Sequence, residues 1–169
     1  MTYSNLVSRQ EQNEISMKIV NIDGNLLDSN AEYIIHQVNC KGAMNSGVAK
    51  AIREKWPVVY DKYKRCHDEW TMGQMLGSVI PVTVNEKQKV MNLCAQESFG
   101  YDGRRYTSYD AIDTCLHKVA MKCEKDGIKS IALPGHMSCD RGGANWNIIM
   151  EMIKQHFENL DITIEIWKL

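Results

Sequence analysis

Two rhythms of apolar and polar positions take turns along the chain. Short, continuous or alternating apolar runs occur at Met17–Ile22, Tyr33–Val38, Leu76–Val84, Val90–Ala95, Ser130–Leu133 and in the closing DITIEIW. They are rich in β-branched residues and predict six strands. Between them the apolar positions move to a spacing of three and four. Val48, Ile52 and Trp56 form one such series, and Val59, Tyr63, Cys66 and Trp70 a second. Tyr109, Ile112, Leu116, Val119 and Cys123 form a third, and Trp146, Ile149, Ile153 and Phe157 a fourth. These predict four helices, each with one face turned to a core.

The punctuation fits the rhythm. Asp23-Gly24-Asn25 closes the first strand, and Pro57 separates the first two helices. Thr107 or Ser108 can cap the third helix, which Gly127 ends. Pro81 gives the third strand a free or irregular edge. The second strand opens on a continuous apolar run, which suits burial on both faces of a largely parallel sheet covered by helices. Parallel sheets bind ligands beyond the carboxyl ends of their strands. Two glycine-containing loops, HQVNCKGAMNSGVA and GHMSCDRGGAN, each follow a strand and precede a helix, so both belong on that edge. A loop entering a helix N-terminus presents unpaired N–H groups and a positive dipole end. Two of them suit a diphosphate.

Composition narrows this picture. At 169 residues the chain has room for one domain with a substantial core. Twenty Lys and Arg against 21 Asp and Glu leave no overall electrostatic footprint for nucleic acid. No apolar run is long enough to span a membrane and no secretory signal pattern opens the chain. The six cysteines are scattered without a C-x-x-C pair, which suits free thiols in a reducing cytoplasm. Residues 1–16 are polar and aperiodic and are expected to form an N-terminal extension, with the domain spanning residues 17–169. No cluster of metal ligands is evident, and neither metal nor cofactor is expected. Gly42 and Gly47 have the glycine spacing of a Walker A loop, but Val48-Ala49 stands where that loop needs Lys and Ser or Thr. A nucleoside triphosphatase is thereby excluded.

Four segments, in order, then resemble one family. HQVNCKGAMNSGVAKAI is similar to the first ligand loop of macro domains, HxVNCxGxMGxGxAxxI. QESFGYDGRRYTSY resembles that family's Q-x-x-[YF]-G-x-D-G-x-R-Y-T-x-Y segment. LPGHMSCDRGGANWNIIMEMI resembles its second loop, and DGNLLD the turn on its adenine side. The resemblance runs from Met17 to the end and is strongest to the ADP-ribose 1''-phosphate phosphatase branch found in bacteria, phages and fungi. It implies a three-layer α/β/α sandwich around a mixed, largely parallel sheet of about six strands, holding ADP-ribose at the strand ends.

Carried over position by position, the resemblance assigns adenine contacts to Asn25 and Leu26. It assigns the distal ribose and diphosphate to Asn39, Gly42, Met44, Asn45, Gly47, Val48 and Ala49. Gln96, Tyr101 and Tyr109 match the segment lining the distal end, and Pro134, Ser138, Cys139, Arg141, Gly142 and Gly143 the second loop. Asn45, Ser138, Asp140, Ala144 and Asn145 depart from the family pattern, where the first four are usually Gly and the last Asp. Gln96 falls near a nucleophilic lysine of de-ADP-ribosylating relatives, and an amide cannot form a Schiff base. Asp140-Arg141 resembles an Asp-Arg pair of the same relatives.

The leading expectation is a cytoplasmic, monomeric phosphatase converting ADP-ribose 1''-phosphate to ADP-ribose. In it His36 or Asp140 is the general base or acid and Asn39 orients the ribose. The alternatives are a non-catalytic ADP-ribose-binding module and a hydrolase that removes ADP-ribosyl groups from macromolecules. ADP-ribosylated protein is a further expected partner; a membrane and direct nucleic-acid binding are not expected.

Overall fold

The computed structural model describes residues 17–169. The expected N-terminal extension, residues 1–16, lies outside them. The six predicted strands are present: β1 (Lys18–Asp23), β2 (Tyr33–Asn39), β3 (Val79–Thr83), β4 (Lys89–Gln96), β5 (Ser130–Pro134) and β6 (Thr163–Lys168). They form one sheet in the order β1-β6-β5-β2-β4-β3. Every pairing is parallel except β3 with β4. β3 is thus an edge strand that turns back on its neighbour, as the proline at position 81 anticipates.

The four predicted helices are also present. α1 (Gly47–Lys55) and α2 (Pro57–Glu69) follow β2, and a short α3 (Met72–Met75), which periodicity does not reveal, leads into β3. α4 (Tyr109–Asp126) and α5 (Trp146–Phe157) flank β5. Of the two cap candidates for α4, Ser108 is the one used: its hydroxyl accepts from the Ala111 N–H. Gly127 ends the helix in the left-handed region at φ 66°.

Alternation along β2 divides the core. Tyr33 and Ile35 face the layer of α4 and α5, with Ile112, Leu116, Val119, Ile149, Ile153 and Phe157. Ile34 and Val38 face the opposite layer, with Ile52, Val59, Tyr63 and Met75 of α1 to α3. Both faces of the sheet are covered, giving the expected three layers. A strand buried on both faces is apolar where both faces meet the core, which is why β2 opens on the run Tyr33-Ile34-Ile35 before its polar residues reach the cleft.

The chain leaves β2 for β3, beyond β4 on one side, and leaves β5 for β6 on the other, so the two neighbours diverge in connection. They also diverge in space. Only Tyr33 with Ile131 and Ile34 with Ala132 are paired between them, whereas β5 and β6 pair along five positions. Beyond Ile34 the two strands splay, and a crevice opens at a topological switch point. Replacing the α4 cap by Ser108→Ala is expected to cost about 1 kcal/mol, read as a lower urea midpoint at unchanged slope.

Candidate functional site

A cleft of about 300 Å³ occupies the splay. Its lining brings together the ends of β2 and β4, the first glycine loop with the start of α1, the segment after β4, and the second glycine loop.

Three hydroxyl and amide side chains build the first lip. Asn39, the last residue of β2, accepts from the Lys41 N–H (2.9 Å) with its Oδ1 and donates through Nδ2 to the Ala43 carbonyl (2.9 Å). From the middle of α2 the Tyr63 hydroxyl reaches Asn39 O and Oδ1 at 2.6 and 2.8 Å, and accepts from the Gly42 N–H at 3.1 Å. Gly42 sits at φ 77°, and a Cβ there would come within 2.9 Å of the His67 ring. The loop is thereby bound to α2. α1 then begins at Ser46, whose side chain does not cap it, and its first helical bond runs from the Lys50 N–H to the Ser46 carbonyl. The N–H groups of Gly47, Val48 and Ala49 are left without helical partners in residues that line the cleft. Asn45 keeps φ negative and receives the Arg53 guanidinium on its Oδ1 at 3.0 Å, so the loss of the family's glycine costs no backbone strain there.

The second lip does contain strain. Among the described residues, His136 and Ser138 are the two non-glycine residues in the left-handed region, at φ 59° and 72°. Each costs on the order of 1–2 kcal/mol relative to glycine. Ser138 is held there by its hydroxyl, which donates to Gln37 Oε1, and by its carbonyl, which accepts from Thr107 Oγ1 at 2.9 Å. Gln37 Nε2 donates to Gln96 Oε1 (2.7 Å) and to Thr107 Oγ1 (2.8 Å), and Gln96 Nε2 to the Ser98 carbonyl (2.8 Å). Apart from one N–H of the Gln96 amide, every proton in this network has one acceptor, and it ties β2, β4 and both segments of the second lip together. Gly142 fits because it lacks a side chain: a Cβ would lie 2.2 Å from Thr107 Oγ1 and 2.4 Å from Ser138 O. Its carbonyl accepts from the Tyr106 and Thr107 N–H groups. Among the described residues, the N–H groups of His136, Ser138, Asp140, Arg141 and Gly142 have no backbone partner, which makes this lip a second array of anion-binding donors.

The expected site residues divide accordingly. His36, Asn39, Asn45, Gly47, Val48, Ala49, Gln96, Tyr101, Pro134, Ser138, Cys139, Asp140, Arg141 and Gly142 line the cleft. Six expected ligand contacts do not. Leu26 and Met44 are buried in the α1–α3 core, and Asn25 uses its Oδ1 to cap a single 3-10 turn. Gly42 is fastened to α2, the Tyr109 hydroxyl accepts from the Asn145 N–H, and Gly143 packs against Arg104 and Arg105. Conversely, Gln37, Phe99 and His136 line the cleft without having been expected. For Phe99 the signal was present, an aromatic in an otherwise polar glycine-containing segment.

His36 requires a correction as the expected acid or base. It is 1% exposed, and its Nε2 lies 2.5 Å from Asn92 Oδ1. Asn92 Nδ2 donates to the Ile80 carbonyl, so the amide oxygen faces the imidazole and Nε2 must carry the proton. Nδ1 is buried without a partner. Burial pushes the pKa down from 6.5 to about 4, partly opposed by the Asn92 bond, so the ring is neutral at pH 7 and held in the cleft floor. Cys139 is no nucleophile either: burial, reinforced by Asp140, pushes its thiol up to about 11. Asp140 is exposed at the rim, and its carboxylate has no hydrogen-bond partner among the described residues. Arg141 donates to the Tyr101 hydroxyl at 2.8 Å and lies 4.6 Å over that ring. Among the described residues no group of His, Cys, Asp or Glu side chains is placed to hold a metal ion, and no helix is long and apolar enough to cross a membrane.

A sheet with this switch point and paired amide lips defines a nucleotide-type cleft in an α/β/α sandwich. The chain belongs to the macro domain family, whose model matches residues 35–153. Among solved structures, it is similar to a protein of unknown function from Bacteroides thetaiotaomicron, at 26% identity and a TM-score of 0.79 over 90% of this chain and 99% of that one. It also resembles the macrodomain of Thermus aquaticus DarG, at 20% identity and a TM-score of 0.74 over 90% and 99% of the two chains. A third, Thermosipho africanus DarTG in complex with ADP-ribose, gives 19% and 0.72 over 89% of this chain and 41% of that one. Among curated relatives, a DNA ADP-ribosyl transferase–DNA ADP-ribosyl glycohydrolase fusion protein of Thermosipho africanus is 23% identical over 86% of this chain and 40% of its own length. A DNA ADP-ribosyl glycohydrolase of Mycobacterium tuberculosis is 23% identical over 81% and 38%. The chain thus spans about two fifths of the curated relatives it matches.

Two consequences are measurable. The buried neutral His36 favours folding at every pH above its ordinary value of 6.5, and this stability is lost as pH falls from 6.5 towards 4. The loss approaches about 3 kcal/mol, by urea unfolding along that range. His36→Gln should flatten this part of the profile, and an equal slope in the variant would remove His36 as its cause. Gly142→Ala should destabilise by more than about 2 kcal/mol, because the overlap with Ser138 O is with backbone that cannot step aside.

Proposed function

We propose that the cleft holds ADP-ribose, with its diphosphate between the two arrays of N–H groups, and that the chain hydrolyses a group joined to C1'' of the distal ribose. The observation carrying this reading is that the unpaired N–H groups at Gly47–Ala49 and at 136–142 line one cleft rather than two separate turns. Such donors stabilise a fixed pair of phosphates and any negative charge that develops beside them. Membership of the macro domain family and the ADP-ribose bound in a neighbour of the same fold support the ligand.

The substrate that this reading favours is ADP-ribose 1''-phosphate. Asp140 replaces His36 as general base, being the carboxylate on the rim with no competing partner. Water forms its new bond to phosphorus and gives its proton to Asp140. The bond from phosphorus to the C1'' oxygen breaks, and that oxygen leaves as a hydroxyl after taking a proton from solvent. Arg141 beside it offsets the charge on the phosphoryl oxygens. One N–H of the Asn39 amide is not used by the loop and can hold a ribose hydroxyl.

A second reading is favoured by the curated relatives, which are DNA ADP-ribosyl glycohydrolases: release of ADP-ribose from DNA. Water then forms its bond to C1'' itself, again through Asp140. Gln96 argues for direct hydrolysis rather than a covalent route, since both ends of its amide are engaged and neither can act as an amine nucleophile.

Calorimetric titration with ADP-ribose should give saturable one-site binding, and its absence would overturn both readings. Phosphate release from ADP-ribose 1''-phosphate should fall about 100-fold in Asp140→Asn with KM changed less than about threefold. Release from an ADP-ribosylated oligonucleotide but not from the 1''-phosphate would select the second reading. Binding without turnover on either substrate would leave a non-catalytic ADP-ribose-binding module.

A further inference from the structure

The two lips and Asp140 account for a diphosphate and a reacting ribose, and leave the base at the far end of the ligand without a partner. Asn25 and Leu26 do not supply one, since neither lines the cleft and Asn25 Oδ1 accepts from the Leu27 N–H at 3.0 Å. The second lip shows where that far end lies. It starts at Pro134 on β5, where the Gly135 N–H donates to the Trp167 carbonyl of β6 at 2.7 Å. It ends at Gly142 against Thr107, which is bridged to Gln96 of β4. With the strands in the order β6-β5-β2-β4, His136 stands on the β6 side of the cleft, and Arg141 with Tyr101 on the β4 side. A ligand whose reacting ribose is at Asp140 and whose diphosphate lies between the lips therefore presents its base to His136.

His136 suits a flat partner. Its ring lies 5.4 Å from that of Trp146, the first residue of α5, at an interplanar angle of 32°. The imidazole thus has an aromatic backing, while the residue stays exposed at the cleft. The turn around it holds its backbone at φ 59°. The Met137 N–H donates to the Pro134 carbonyl at 3.1 Å, the Cys139 N–H to the His136 carbonyl at 2.9 Å, and the Met137 side chain is buried. Glycine would make this turn without strain, so a histidine placed here at that cost points to a use for the side chain. The residues beside it in the lining, Pro134 and Gly135, bring no side-chain donor or acceptor to the edge of a base.

We propose that His136, backed by Trp146, is the shelf on which the base of the bound nucleotide stacks, and that this end of the cleft selects a flat aromatic base rather than adenine, so that the guanine counterpart of ADP-ribose is also a ligand. This rests on the reading that the cleft holds ADP-ribose with its distal ribose at Asp140, and it widens the ligand class of that site. Stacking uses the π-face that every base has, whereas telling guanine from adenine needs donors and acceptors aimed at the base edge.

The test titrates three compounds into the full chain by calorimetry: ADP-ribose, GDP-ribose, and a base-free analogue in which a diphosphate joins two riboses. The two nucleotides should bind within about threefold of each other, and the base-free analogue about tenfold weaker. His136→Ala should weaken both nucleotides about tenfold and leave the base-free analogue unchanged, and His136→Phe should restore them. His136→Gly separates the shelf from the turn. It should raise the urea midpoint by relieving the left-handed backbone, yet weaken the nucleotides as much as alanine does. A base-free analogue that binds as tightly as ADP-ribose, or that loses as much on His136→Ala, overturns the shelf and leaves the cleft's ligand standing. GDP-ribose binding more than about tenfold weaker than ADP-ribose shows that the base edge is read and overturns the wider class. If none of the three compounds binds, the shelf and the proposed function fall together.

Discussion

The structure depends on a pairing that stops early. β2 and β5 are neighbours for two residue pairs and then separate, although each continues towards the same edge of the sheet. A parallel ladder that stops leaves backbone and side-chain polar groups to find partners elsewhere, because buried unpaired groups cost about 1–3 kcal/mol each. Gln37 supplies those partners. It lies beyond Ile34, the last residue of β2 paired with β5, and its amide connects β2 to Gln96 on β4, to Thr107 and to Ser138 in the loop after β5. The cleft is the space that the missing pairs would have filled, and Gln37 sets how far the two lips stand apart.

The lips are secured differently. The first is fixed through one hydroxyl on a core helix, Tyr63, which grips Asn39 and Gly42. The second has no such helix beneath it. It keeps Ser138 in a backbone region that favours glycine, and the hydrogen bonds from Gln37 and Thr107 offset that cost. The contrast explains why Gly142 cannot be replaced while Asn45 is accommodated. At Gly142 the side-chain space is already taken by the Thr107 hydroxyl and the Ser138 carbonyl, whereas Asn45 is exposed and answered by Arg53.

Most of the architecture was legible in the sequence because it follows from periodicity. β2 is apolar on both faces because both are covered, α4 carries its cap and its terminating glycine, and Pro81 marks an edge. Both glycine loops were placed on the correct edge by the rule that strands precede them. The site was only partly legible. Gln37 is joined to Gln96 and Thr107 across 59 and 70 residues of sequence, and no local pattern encodes such a meeting. His36 has the residue type and position of a catalyst, but its role is decided by Asn92, 56 residues away, which fixes its tautomer inside the sheet. Asn25, Leu26 and Met44 sit in the expected motifs, yet their side chains serve a turn and a core. Motif position tells where the chain passes, and burial tells what a side chain is free to do.

The same distinction governs the chemistry. A cleft whose ionisable groups are mostly neutralised by burial or by partners has little catalytic choice left. His36 is neutral, the Cys139 thiol stays protonated, and the Gln96 amide is engaged at both ends. What remains is the Asp140 carboxylate at the rim, the exposed His136 imidazole and two sets of backbone donors, which suits addition of water to a substrate held by its phosphates. On the proposed function such a site gains selectivity from whatever extends beyond the phosphates, since backbone N–H groups do not distinguish one diphosphate from another. The discrimination then lies at the rim, where Arg141 holds the Tyr101 ring beside the cleft.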